Sequence, residues 1–183
     1  ADDMGKLNEL VASLNAIADN KLTTAEKAEK AELIGKIDEL KAVVDDVADE
    51  LAAVKTEAGK YAADSVTADD TAKLAQLASD IADVKDANLT AAQKTEKQAA
   101  ADKVTALQKV ITDTAAQLQT ALATVDTFDA KKVTSDDLTA LASAKASLTS
   151  VKDGNLTAAQ KAEKNTAIAA VTAMETAVEA AVD

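Results

Sequence analysis

One stretch of sequence occurs three times at a spacing of 67 residues (89 − 22 and 156 − 89). Residues 22–30 read LTTAEKAEK, residues 89–97 read LTAAQKTEK and residues 156–164 read LTAAQKAEK. A second marker has the same period, because VTADD at residues 66–70 returns as VTSDD at residues 133–137. Tandem copies of one supersecondary unit stack on their neighbours and build long, modular proteins. The chain is therefore interpreted as a tandem array.

The array divides into an incomplete first repeat at residues 1–65, a full period at residues 66–132 and a truncated third repeat at residues 133–183. Cysteine and histidine are both absent, which removes disulfides, thiolate nucleophiles, imidazole bases and the usual zinc ligands. The sequence also contains no glycine-rich phosphate loop and no serine-nucleophile motif. We therefore predict that the protein is not an enzyme and uses no cofactor or metal.

The charge of the chain is strongly negative. Its 20 basic residues, all lysines, stand against 32 acidic residues, so the net charge is −12. Nucleic acids and anionic membrane surfaces attract clustered positive charge and are disfavoured as partners. No apolar run approaches the ~20 residues that a membrane-spanning helix requires. We therefore expect no nucleic-acid partner and no membrane insertion.

Each repeat begins with the signals of a short amphipathic helix. In the full period, Thr67 and Asp70 have the spacing of a capping box, and the carboxylates of Asp69 and Asp70 suit the positive end of a helix dipole. The apolar side chains that follow recur at spacings of three and four, which places them on one helix face. These stripes are Leu74, Leu77, Ile81 and Val84 in the second repeat, Leu7, Leu10, Leu14 and Ile17 in the first, and Leu141, Ala144, Leu148 and Val151 in the third.

A long helix is predicted after a short break in this pattern. Thr90 with Gln93 forms a second capping box, and Leu89 is placed as its hydrophobic staple. Residues 91–127 contain neither proline nor glycine, and at ~1.5 Å per residue they predict one helix of about 55 Å. A kink at residues 112–114 is the alternative, because threonine and aspartate are weaker helix formers. The equivalent capping pairs are Thr23 with Glu26 and Thr157 with Gln160.

Such a helix extends well past the short helix before it, so we predict that two neighbouring bundles share it. Its first half packs against the preceding short helix, and its second half packs against the following one. The predicted fold class is all-α, with tandem three-helix bundles that share long helices and form an elongated, spectrin-like rod. The bundles contain residues 43–63, 67–85 and 90–109, and residues 110–129, 134–152 and 157–177.

The first repeat has no long helix ahead of it, which predicts a two-helix hairpin unless another segment or chain completes it. Its apolar positions are bulkier than their equivalents in the second repeat. We expect the larger side chains to compensate for the missing third helix; an exposed apolar seam used for self-association is the alternative. The positions are Leu33, Ile34, Ile37, Leu40, Val43, Val44 and Val47.

The two aromatic residues, Tyr61 and Phe128, are also 67 apart (128 − 61), and both are predicted to follow a long helix. We expect them to pack at the turn into the next short helix, because single-stranded nucleic-acid sites need clustered aromatics. The acidic pairs are interpreted as helix-terminal charges and not as catalytic carboxylates, because adjacent helical residues point about 100° apart. The pairs are Asp2 with Asp3, Asp69 with Asp70, and Asp136 with Asp137.

Two further patterns are interpreted as incidental. Asp153, Gly154 and Asn155 have the look of the start of a calcium loop, but no repeat continues with the remaining ligands of a twelve-residue loop. Asn88 and Asn155 each begin an N-x-T glycosylation pattern. The threonine of that pattern already has a capping role in both repeats.

Charged side chains recur at identical positions after each capping box and are the candidates for a repeated partner-binding surface. Lysine and glutamate four residues apart also stabilise solvated helix faces, which is the alternative role. Identity at exposed positions favours repeated ligand sites, whereas identity confined to caps and cores favours a spacer. The candidates are Lys27, Glu29 and Lys30 in the first repeat, Lys94, Glu96 and Lys97 in the second, and Lys161, Glu163 and Lys164 in the third.

The LTxAQKxEK start, the alanine-rich helix behind it and the lysine-only acidic composition resemble the helical repeats of Gram-positive cell-surface adhesins, in particular FIVAR-type and related three-helix modules. The resemblance implies a stalk or spacer for adhesion outside the bacterial cell, at its surface or wall. The period of 67 residues and the scarcity of aromatics differ from those modules. One alternative is a module whose repeated helix faces capture a host protein or cell-wall polymer. Another is an intracellular helical scaffold or self-assembling coat component.

Overall fold

The computed structural model describes residues 3–182, and the predicted all-α class is confirmed for them. Six α-helices and no strands occur among these residues. Asp2, and with it half of the first acidic pair, lies outside the described residues. The helices are α1 (Met4–Ala16), α2 (Thr24–Gly59), α3 (Thr71–Asp83), α4 (Ala91–Val125), α5 (Leu138–Ser150) and α6 (Ala158–Val182).

The long helices begin where the capping signals predict. Before α2, the Glu26 N–H donates to the Thr23 hydroxyl at 3.3 Å, and the Thr23 N–H donates to the Glu26 carboxylate at 2.7 Å. Each bond satisfies an N–H that has no partner inside the helix. The same reciprocal bonds join Thr90 with Gln93 before α4 and Thr157 with Gln160 before α6.

The short helices α3 and α5 begin with a 3-10 turn, which the apolar pattern does not predict. The carboxylate of Asp70 accepts the Thr67 N–H at 3.1 Å, and that of Asp137 accepts the Thr134 N–H at 2.9 Å. These acidic residues therefore act at helix starts, as predicted. The turns are Ala68–Asp70 and Ser135–Asp137.

Helix α4 is continuous over its 35 residues. The assigned helix has no interruption at residues 112–114, where a kink is the alternative. The hydroxyl of Thr112 donates to the Gln108 carbonyl at 3.1 Å, a bond that allows threonine inside a helix.

The helices divide into two compact units. The first contains residues up to Lys60 together with residues 77–103, and the second contains residues 61–76 together with residues from Val104 onward. In the second unit, the second half of α4 packs with α5 and α6 around one apolar core. Phe128, from the turn after α4, packs against this core while remaining half-buried. The packing role predicted for Phe128 is thus confirmed.

The first unit buries one face of the second half of α2. Its buried side chains follow a spacing of four, three and four residues, which is one stripe on a helix. It also buries Leu77 and Ile81 of α3, Val84 and Leu89 of the connection after α3, and Ala100 of α4. The stripe on α2 consists of Val47, Leu51, Val54 and Ala58.

The first repeat forms the predicted hairpin of α1 and α2, but its larger side chains do not compensate for a third helix. Leu33 and Val43 are each 49% exposed and Leu40 is 57% exposed. Within the same set, only Ile37 and Val47 are buried. In a hairpin of two helices, apolar side chains that face away from the contact between the helices have no third helix to pack against. The expectation of compensation was therefore wrong at three of the seven positions, where an apolar surface is exposed instead.

Candidate functional site

Three of the nine candidate residues make one recurring contact. Lys30, Lys97 and Lys164 lie in the second turn of α2, α4 and α6. The ammonium group of each reaches back to the end of the preceding short helix. It donates to the carbonyls of Ile17, Val84 and Val151 at 2.8, 2.5 and 2.5 Å, and to the carboxylates of Asp19, Asp86 and Asp153 at 2.8, 2.8 and 2.9 Å. We call this arrangement the lysine clasp.

The lysine clasp satisfies the open end of a helix. The last carbonyls of an α-helix have no partner within the helix. Val151 is the C-cap residue of α5, and its carbonyl receives Lys164. A positive charge at this position also suits the negative end of the helix dipole. Each clasp therefore joins the end of a short helix to the start of the long helix after it.

The lysines of the clasp are largely withdrawn from solvent. The side chain of Lys164 is 6% exposed, and those of Lys30 and Lys97 are 14% and 17% exposed. A lysine is rarely buried unless its charge is paired, and each of these lysines has both a carboxylate and a carbonyl partner. The structure thus gives Lys30, Lys97 and Lys164 contacts within their own repeat.

The aspartates of the clasp titrate below the ordinary range. The hydrogen bond from Lys164 and the charge of its ammonium group hold the pKa of Asp153 below the ordinary 3.8, and the nearby charge of Lys161 lowers it further. Asp19 has the same shift in pKa, caused by Lys30 and then by Lys27. The Asp86 pKa is also lowered, mainly by its hydrogen bond from Lys97. The aspartates remain charged partners of the lysines at neutral pH.

The remaining candidates lie mostly at the surface. Glu96 forms an ion pair with Lys55 of α2, in which the Lys55 Nζ lies 2.6 Å from a carboxylate oxygen of Glu96. The residue one period after Lys55 is Leu122, so Glu163 has no equivalent ion pair at that position. The recurring glutamate is therefore placed in two different chemical surroundings. Lys27, Glu29, Lys94, Glu96 and Glu163 are exposed, and Lys161 is half-buried.

A shallow groove recurs beside this glutamate. In the first unit the groove lies between α2 and α4 and has a volume of about 270 Å³. In the second unit the groove between α4 and α6 has a volume of about 370 Å³ and is lined by the equivalent positions. The two grooves differ in charge, because two lysines of the first groove are replaced by apolar residues in the second. The three positions are Lys55, Glu96 and Lys103 in the first groove and Leu122, Glu163 and Ala170 in the second.

A second contact joins the turn before α6 to the turn before α3. The side-chain amide of Asn155 donates to the carbonyls of Ala63 and Val66 at 2.8 and 3.0 Å. A Cβ added at Gly154 would lie 2.2 Å from the Asp64 carbonyl oxygen, which is closer than non-bonded atoms approach. We call this the turn contact. Asn155 is 4% exposed and uses its amide here, which supports the view that its N-x-T pattern is incidental.

The described residues show no arrangement of groups for acid–base or metal chemistry. Asp70 and Asp137 are engaged at helix starts. No group of three or more acidic side chains suited to hold a metal ion is found within residues 3–182. Over the same residues, no helix is both long and apolar enough to cross a membrane.

Sequence reasoning missed both the lysine clasp and the turn contact. A signal for the clasp is present, since an aspartate precedes the recurring lysine by 11 residues in every repeat (30 − 19, 97 − 86 and 164 − 153). The turn contact has no such signal, because Gly154 and Asn155 occur together in one repeat only.

Comparison with known proteins finds no relative of this chain. No family model matches it, and no curated protein or solved structure is detectably similar to it.

Proposed function

We propose that this chain is a non-catalytic, structural helical repeat segment that acts as a stalk or spacer for adhesion at a bacterial cell surface. The observation that carries the proposal is the use of the recurring residues. The threonines and their Glu or Gln partners cap helices, and the recurring lysines Lys30, Lys97 and Lys164 close the ends of short helices. Identity between repeats is thus concentrated at positions that hold the fold together, which favours a spacer.

The proposed architecture is a series of three-helix bundles that share the long helices and form an elongated, spectrin-like rod. Two observations support it. The stripe Val47, Leu51, Val54 and Ala58 on α2 returns one period later on α4 as Thr114, Leu118, Ala121 and Val125, and both stripes are buried. Helix α4 also continues without a break through both of its halves. A helix with two buried halves suits a role in two successive bundles.

The test is a deletion in phase with the repeat. Removing residues 66–132 joins Ser65 to Val133 and keeps every cap and apolar stripe in register. We expect small-angle scattering to give the full chain a radius of gyration well above the ~16 Å of a compact chain of this length. The deletion variant should remain helical and have a shorter maximum dimension. In a tethered assay it should change only the reach of an attached adhesive domain.

Its matched control removes residues 66–111, which is out of phase and breaks the pairing of long and short helices. This variant should be less stable than the in-phase deletion although it is longer. A radius of gyration near ~16 Å for the full chain contradicts the rod. A stable out-of-phase variant contradicts the dependence on register.

A second candidate function is a binding module that captures a host protein or a cell-wall polymer. It is favoured by the recurrence of exposed Lys27 and Glu29 as exposed Lys94 and Glu96, and of the exposed glutamate as Glu163 in the third repeat. The differing groove chemistry at Lys55 and its equivalent counts against identical ligand sites. Purified peptidoglycan and fibronectin serve as probes of each kind of partner. Saturable binding that a Glu29, Glu96 and Glu163 triple alanine variant loses would replace the spacer proposal with this one.

A further inference from the structure

The first repeat presents an apolar face that its own two helices leave uncovered. Leu10, Ile17, Leu33, Leu40 and Val43 are between 44% and 57% exposed. Helix α1 contributes no buried residue at all over Met4–Ala16. We call these five residues the open face. Clustered exposure of large apolar side chains marks an interaction surface.

Three of the five equivalent positions in the third repeat are buried. Two periods after Leu10 and Ile17 stand Ala144 and Val151, which are 1% and 2% exposed. Two periods after Leu40 stands Met174, which is also buried. The equivalents of Leu33 and Val43 are Ala167, which is half-buried, and Ala177, which is exposed. The fold therefore buries the positions of Leu10, Ile17 and Leu40 elsewhere in the same chain.

The helix that covers the third repeat is the second half of α4. Leu118, Ala121 and Val125 lie in one core with Ala144 and Val151. Together with Thr114 they form a stripe with a spacing of four, three and four residues, the pattern of one helix face. The connection from α4 to α5, residues 126–137, reverses through turns closed by the Phe128 N–H to the Val125 carbonyl and by the Val133 N–H to the Asp129 carbonyl. We infer that the covering helix runs antiparallel to the helix that it covers.

We propose that the open face binds one amphipathic helix from a further repeat unit, in the register of Thr114, Leu118, Ala121 and Val125 and antiparallel to α1. The open face has Leu10 and Leu33 where the third repeat has Ala144 and Ala167. The second repeat has Leu77 at the position of Leu10, and Leu77 is 3% exposed, so this fold also buries a leucine at that position. The inference rests on packing within the chain and not on the proposed role at a cell surface.

The test adds residues 110–134 ahead of Ala1. This keeps the array in phase, because Thr134 is followed by Ser135, whose equivalent two periods earlier is Ala1. Hydrogen exchange should slow by at least about tenfold in α1, since α1 gains the buried contacts that it lacks. Exchange in α5 should not change, which verifies that the rest of the protein is folded. The matched control has Leu118→Asp in the added copy only and should leave exchange in α1 at its original rate.

Two results would overturn the proposal. The first is unchanged exchange in α1 when the added segment is present and α5 remains protected. The second is a dimer of the original chain in sedimentation experiments that the Leu10→Gln and Leu40→Gln double variant converts to monomer, because the occupant is then a second copy of this chain. The slowing of exchange in α1 does not depend on whether the protein acts at a cell surface. The proposal for the open face and the proposal of a spacer can therefore fail independently.

Discussion

Gly154 is the residue whose identity depends most directly on a distant part of the chain. Its φ is not positive, nor is that of any other glycine among the described residues, so the requirement is steric and not conformational. The Asp64 carbonyl oxygen occupies the space that a Cβ needs. One period earlier the residue is Ala87, so the repeat pattern itself does not require glycine. The glycine is thus matched to the turn against which it packs.

We expect Gly154→Ala to lower the free energy of unfolding by roughly 1–3 kcal/mol, the usual cost of forcing extra volume into a packed site. The added Cβ would clash with the Asp64 backbone carbonyl, which cannot rotate away as a flexible side chain can. Urea denaturation followed by circular dichroism measures the change. Hydrogen exchange should show the loss of protection at residues 63–66 and 153–156.

The matched control is Gly35→Ala. Gly35 lies inside α2 and has open space around the added Cβ, so alanine should raise stability by about 0.5–1 kcal/mol through its better helix propensity. Opposite signs for the two substitutions identify the turn contact as the cause. Equal and positive effects on stability would remove the steric argument at Gly154.

At the scale of the helices, the lysine clasp decides how each short helix ends. Lys164→Met keeps an aliphatic side chain of similar length but leaves the Val151 carbonyl without its donor. An unsatisfied buried acceptor costs about 1–3 kcal/mol, and we expect a loss of unfolding free energy in that range. The control is Lys161→Met, one turn earlier on α6, which should change stability by less than about 0.5 kcal/mol. A smaller loss for Lys164→Met than for Lys161→Met contradicts the role of the clasp.

The same contact predicts a pH dependence in acid. The folded pKa values of Asp19, Asp86 and Asp153 are lowered below 3.8 by their lysine partners. A lowered folded pKa contributes stability that is fully present above the unfolded value and is lost as pH falls through the folded value. Stability should therefore fall below about pH 3.8. In Lys164→Met the fall should be shallower, as measured by unfolding at pH 2–6, because Asp153 no longer has its partner.

The helices were predictable because their signals are local. Capping pairs such as Thr90 with Gln93 lie three residues apart, and apolar stripes repeat within one helix. One sequence is therefore sufficient to predict where the helices begin and which face is buried. The 3-10 turns before α3 and α5 were not predicted, since a capping box is compatible with either helix type. The lysine clasp was missed because Lys164 was interpreted as part of a partner-binding surface, although its aspartate partner lies within the same repeat. The turn contact joins Asn155 to Val66 across 89 residues, a distance that no local pattern spans.

Across the whole molecule, the burial of side chains differs greatly between the first short helix, α1, and the last short helix, α5. Helix α1 has no buried residue, whereas α5, of the same length, buries Leu141, Ala144 and Leu148. Protection against hydrogen exchange follows buried apolar contacts. We expect amides of α1 to exchange fastest and those of α5 to be among the slowest, as measured by mass spectrometry at neutral pH. Equal protection of the two helices would show that the open face is covered in solution.

The difference between Ala87 and Gly154 has a consequence for how such an array changes length. Residues 89–97 and 156–164 differ at one position only, so one whole period can be added or removed at this stretch with little change to it. An expansion by this route duplicates residues 89–155 and with them Gly154, so every added loop has a glycine and a turn ahead of it. A contraction of the same kind removes residues 89–155 and Gly154 with them, and leaves Ala87 in the loop before Leu156. The array can therefore gain or lose a period while each glycine stays with the turn that requires it.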